Sequence, residues 1–93
     1  MTTQAVEFTV GKVERVNGRG ALVGLAIVEM DVAGVVFTLQ GVQIVQMPDG
    51  RLNCKSPVWR HPASGKWLPG VVLPPDLAKA LADEVLEMWT AQA

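Results

Sequence analysis

ALVGLAIVEM, residues 21–30, is the stretch whose reading decides the fold. It is apolar nearly throughout, rich in β-branched residues and too short for a buried helix, so it reads as a central strand covered on both faces. At this length it is also far short of the roughly 20 apolar residues that a membrane span needs. The segments on either side turn the chain back on itself. VNGRG (16–20) is a turn in which Asn17-Gly18 supplies the positive φ of a type I′ hairpin. Asp31 to Gly34 offers the next reversal.

Outward from this strand the period-2 pattern continues. In VEFTV (6–10), Val6, Phe8 and Val10 share one face, and Glu7 and Thr9 the other. Val13 falls on the opposite parity, as a bulge at Gly11 requires. Val35, Phe37 and Leu39 alternate until Gly41, after which Val42 and Ile44 carry the pattern. This fits either one bent strand from Val35 to Val45 or two strands meeting at Gly41. MPDG (47–50) is a turn, and RLNCK (51–55) is a short strand with Leu52 and Cys54 on one side. Prolines at 57, 62, 69, 74 and 75 leave no room for a regular element between 56 and 66, which reads as a loop. GKWLPGVVL (65–73) is one last edge strand, where Pro69 is tolerated because an edge residue needs no ladder donor. Trp67 is expected to anchor it.

The C-terminal segment is the single helix, over about 75–90. Pro74 and Pro75 suit its first positions and Asp76 puts negative charge in its first turn. Leu77, Leu81, Val85, Met88 and Trp89 form one apolar stripe for the core, and Lys79, Asp83, Glu84 and Glu87 face solvent. The fold class is therefore α+β: an antiparallel β-sheet of about five to six strands with one C-terminal α-helix packed on one face. The 93 residues make a single domain, 1–93, with a radius of gyration of about 12 Å. One helix covers one face of so apolar a sheet, which predicts a homodimer through sheet faces or exchanged strands.

Composition narrows the function. With 49% hydrophobic and 18% charged residues the chain is a folded protein, not a disordered one. MTTQAVEF lacks the cationic and apolar regions of a secretory signal, so a cytoplasmic protein without membrane association is expected. Cys54 is the sole cysteine and cannot form an internal disulfide. One Cys and one His leave at least two ligands of a zinc site unaccounted for, so no metal and no cofactor is expected. Cys54 and His61 lack an orienting third group, and GRG (18–20) lacks phosphate-loop spacing. The chain reads as no enzyme.

Net charge is −1, yet the charges are unevenly placed. Acids outnumber cations on both sides of residues 51–66, which hold Arg51, Lys55, Arg60 and Lys66 and no acid. KSPVWRHPASGKW (55–67) lies within or beside this block. Cations that neutralise phosphates and flat side chains on which bases stack are what nucleic-acid binding requires. Arg51, Lys55, Arg60 and Lys66 supply the first, and Trp59, beside His61, is the better stacking candidate. The alternative is a protein partner held by the loop 56–63, where Val58-Trp59 beside Arg60 suits an interface.

Four ordered segments carry a family likeness: VERVNGRGALVGLAIVEMDVAGVVF (13–37), FTLQGVQIV (37–45), DGRLNCKSP (49–57) and SGKWLPGVVLP (64–74). Together they resemble the bacterial SpoVG family of small septation and sporulation regulators that bind nucleic acid. The first is similar to that family's opening hairpin, the second to its central strand. The others resemble the short strand and the aromatic run that precede its terminal helix. Here Ser56-Pro57 replaces the family's Met-Pro, Ser64-Gly65 its acid-glycine pair and Leu73-Pro74 its His-Pro, and the helix is acidic. The resemblance implies a small regulatory protein that contacts DNA or RNA.

Overall fold

The computed structural model describes residues 6–17 and 20–92. It is α+β, with the element order β1 (Val6–Arg15), β2 (Leu22–Val32), β3 (Val35–Gln46), β4 (Leu52–Lys55), β5 (Val58–Arg60), β6 (Trp67–Pro69) and α1 (Pro75–Ala91). The first four strands form an antiparallel meander in the order β1-β2-β3-β4, and β5 and β6 form a separate two-stranded sheet. The expected single sheet is thus divided. Pro57, without an N–H to extend a ladder, stands at the break between β4 and β5.

Both phase shifts in the sequence are bulges. The β1–β2 register slips between Val10 and Lys12, leaving Gly11 unpaired. The β2–β3 register slips opposite Ala26 and Ile27, where Gly41 is skipped. Gly41 has a φ of 84°, a left-handed conformation that L side chains resist, and it bends β3 without ending it. One bent strand, not two, runs from Val35 to Gln46. At the β2–β3 turn the Asp31 Oδ1 accepts a 2.8 Å hydrogen bond from the Gly34 N–H. Gly18 and Arg19, and with them the expected type I′ geometry at Asn17-Gly18, lie outside the described residues.

The helix lies on one face of the meander. Ala26, Val28, Leu39, Val42 and Ile44 from the sheet meet Leu81, Val85 and Trp89 from α1, with Phe8, Val10, Val13, Leu52 and Cys54 packed around them. Burial of each large side chain contributes about 1.5–3 kcal/mol, so docking of α1 is a large part of the core energy. Arg15 adds its guanidinium over the Trp89 ring, 4.7 Å from the centroid, a contact worth about 0.5–1 kcal/mol at an exposed site. Met88 departs from the expected stripe: it is 36% exposed and lines a cleft with Phe8 and Val10 instead of entering the core. Its position follows Val85 by three residues and so lies at the margin of the narrow buried face of α1.

β2 is covered within the chain on one face only. By strand alternation the other face of the meander carries Glu7, Lys12, Glu14, Glu29 and Gln43 around Leu25 and the exposed Ile27. Half-solvated antiparallel sheets have this composition, so the open face does not itself demand a covering subunit. Beside the β2–β3 turn three exposed apolar residues cluster, Val35 and Phe37 on the helix-bearing face and Val36 on the open one. The radius of gyration is 13.6 Å, above the expectation for this length, within a flat outline of 38 × 37 × 22 Å.

Candidate nucleic-acid interface

Residues 56–66 are not a structureless loop. Val58, Trp59 and Arg60 pair antiparallel with Pro69, Leu68 and Trp67. The hairpin is closed by backbone hydrogen bonds of 2.8 Å from His61 N–H to Lys66 C=O and from Gly65 N–H to His61 C=O. It is fastened at its base by a 2.7 Å bond from Gly70 N–H to Pro57 C=O. Proline spacing alone did not exclude it, because three paired residues per strand suffice once the turn is stabilised from within. His61 does part of this: its Nδ1 accepts from the Ala63 and Ser64 N–H groups at 3.1 and 3.3 Å. The Ser64 Oγ accepts from the Lys66 N–H at 3.3 Å.

The register divides the aromatic residues. Residues opposite each other share a face and neighbours along a strand alternate, so Arg60 and Trp67 lie on one face of the hairpin and Trp59 and Leu68 on the other. Trp59 rests against His61 with ring centroids 5.6 Å apart. Trp67 is 65% exposed and Trp59 45%. Trp67 therefore does not anchor β6 by burial, and it is the freer of the two indoles for stacking. It borders an open, largely apolar cleft of about 420 Å³ together with Lys55, Val58, Pro69, Leu73 and Ala78.

The cations are also sorted. Arg51 is tied to Asp49, with Nε 2.6 Å from Oδ2, while the same carboxylate accepts from the Arg51 N–H at 3.0 Å. The remaining ion pairs among the described residues are Lys12–Glu14 and Lys79–Asp83. Lys55, Arg60 and Lys66 thus have no acidic partner among the described residues. Arg60 ends β5 and Lys66 leads into β6, so both belong to the hairpin, and Lys55 ends β4 and lines the cleft beside Trp67. The Arg60 guanidinium reaches back over the turn, where Nη2 would lie 3.5 Å from a Cβ built on Gly65. Lys55, Trp59, Arg60, His61 and Lys66 thus lie on or next to the hairpin, whereas Arg51 sits at the far end of β4 and is paired with Asp49, His61 is engaged in the turn and Trp59 faces away from Trp67.

Cys54 sits on the core side of β4, and burial pushes its thiol pKa up from 9.0 to about 11. A thiol so held is protonated at neutral pH and a poor nucleophile. No group of three or more His, Cys, Asp or Glu side chains able to hold a metal is found among the described residues. No helix among them is long and apolar enough to cross a membrane. No protein-family model, curated protein or solved structure matches this chain.

Proposed function

We propose that this protein is a small, non-enzymatic, homodimeric nucleic-acid-binding regulator, similar to the SpoVG family, that contacts DNA or RNA through the β5–β6 hairpin. One observation carries the reading: Lys55, Arg60 and Lys66 have no acidic partner among the described residues, and the exposed indole of Trp67 shares a cleft with Lys55 and a hairpin face with Arg60. Three cations per chain against a net charge of −1 favour weak binding that falls steeply with salt. A dimer doubles the contacts without changing their chemistry.

The apolar cleft below Trp67, with Val72 exposed beside it, gives a protein partner as the second reading. Salt separates them. Fluorescence titration with single- and double-stranded DNA and RNA at low and moderate salt is expected to give binding that collapses as salt rises. Absence of binding to every one of these at low salt would overturn the nucleic-acid reading.

A further inference from the structure

The four-stranded sheet has two open edges, and their chemistry differs. The outer edge of β1 carries Glu7, Lys12, Glu14 and Arg15, charges of the kind that discourage edge-to-edge pairing. On the opposite side β4 covers only Gln43–Gln46 of β3. From Val35 to Gln40 the edge reads VVFTLQ, without a charge, a proline or a glycine. Beyond the β2 ladder, no backbone hydrogen bond among the described residues reaches this segment. Val35, Val36 and Phe37 are 58%, 56% and 49% exposed. The bulge at Gly41 marks the end of this free stretch.

We infer that this edge is where two copies of the chain meet: Val35–Leu39 pairs antiparallel with the same residues of a second copy across a two-fold axis at Phe37, joining two meanders into one continuous sheet. The inference rests on the dimer proposed above and specifies its surface. A two-fold axis makes identical strands antiparallel and closes the assembly at two chains. A neutral segment faces itself without like charges opposite one another, whereas β1 against its own copy brings charged side chains together. Pairing satisfies the outward N–H and C=O groups of β3. It also sets Val35, Phe37 and Leu39 of both copies side by side on the helix-bearing face, removing much of the exposed apolar surface from water.

Sedimentation equilibrium and hydrogen–deuterium exchange on the full chain test this. The wild type is expected to be a dimer at tens of micromolar, with amides in 35–39 exchanging more slowly as concentration rises. Val35→Lys combined with Phe37→Lys is expected to weaken self-association by about 100-fold or more, because like charges then meet across the axis. Far-UV circular dichroism should be unchanged, and Val72→Lys should leave the dimer intact. A monomeric wild type would remove the dimer and its edge together. A dimer that withstands the double substitution, or whose concentration-dependent protection lies outside 35–39, would overturn the edge alone. The exchange pattern of the wild type decides the matter even if the variant misfolds, and neither measurement depends on nucleic-acid binding.

Discussion

Gly24 and Trp89 are in direct contact: the indole occupies the space that a side chain at position 24 would need. A Cβ built on Gly24 overlaps the Trp89 ring, with Cη2 at 2.9 Å and the Glu14 carbonyl at 3.2 Å on the other side. The missing side chain near the start of β2 is what lets the last turn of α1 seat its indole against the sheet. Gly24→Ala is therefore expected to destabilise the fold by about 1–3 kcal/mol, the usual range for overpacking. The double variant Gly24→Ala/Trp89→Leu should lose less than the sum of the single changes in urea denaturation, since the two residues share one space. Strict additivity would contradict the contact.

The β2–β3 turn holds the only non-glycine residue with positive φ among the described residues, Ala33 at 51°, followed by Gly34 at 92°. A left-handed alanine costs about 1 kcal/mol, and asparagine tolerates the conformation better. Ala33→Asn creates the Asn-Gly pair favoured in such turns and should raise stability by about 0.5–1 kcal/mol. A higher urea midpoint with an unchanged slope checks this.

Burial of Cys54 ties stability to alkaline pH. Its pKa is raised from 9.0 to about 11, so folding favours the protonated thiol. The associated stabilisation is present below about pH 9 and is lost as pH rises through about 11. Cys54→Val should flatten the decline of the urea midpoint over this window relative to the wild type. Alkylation of the wild-type thiol near neutral pH should be about 10–100-fold slower than that of an unhindered thiol, because less thiolate is present.

The meander and helix were legible because each has a buried face against which alternation or helical spacing registers. The phase jumps at Gly11 and Gly41 even located the bulges, and Leu52 and Cys54 marked the inner side of β4. The β5–β6 hairpin had no such signal. It contributes no residue to the core cluster, its strands are shorter than an alternation needs to declare itself, and the His61 acceptor that holds its turn is an unfamiliar use of histidine. The candidate site suffered similarly. Lys55, Arg60 and Lys66 stood out as a block without acids, but the neutralisation of Arg51 by Asp49 and the opposite facing of the two indoles depend on side-chain direction, which composition does not encode.

If phosphates are neutralised at the hairpin, the cations should contribute unequally. Arg60→Gln and Lys66→Gln are each expected to reduce the slope of log affinity against log salt by about one, the share of a single phosphate that is no longer neutralised. Arg51→Gln should change it much less, because the substitution removes a charge already balanced by Asp49, 2.6 Å away. Equal effects of all three substitutions would show that bulk charge, not the arrangement at the hairpin, governs binding.

The opposite facing of the indoles makes the sharpest distinction. A strand lying across the Arg60–Trp67 face stacks a base on Trp67 while its phosphates meet Arg60 and Lys55, and it cannot reach Trp59 on the other side of the same hairpin. Trp67→Ala is then expected to cost about 1–3 kcal/mol of binding to single-stranded nucleic acid, the usual worth of a stacked base. Its effect on thermal stability should be small, since Trp67 is largely exposed. Trp59→Ala should act the other way, loosening the hairpin because His61 then has no ring to rest against, and affecting binding less. Titration and thermal melting of both variants measure this directly. A larger drop in affinity with Trp59→Ala than with Trp67→Ala would place the nucleic acid on the opposite face, away from Arg60.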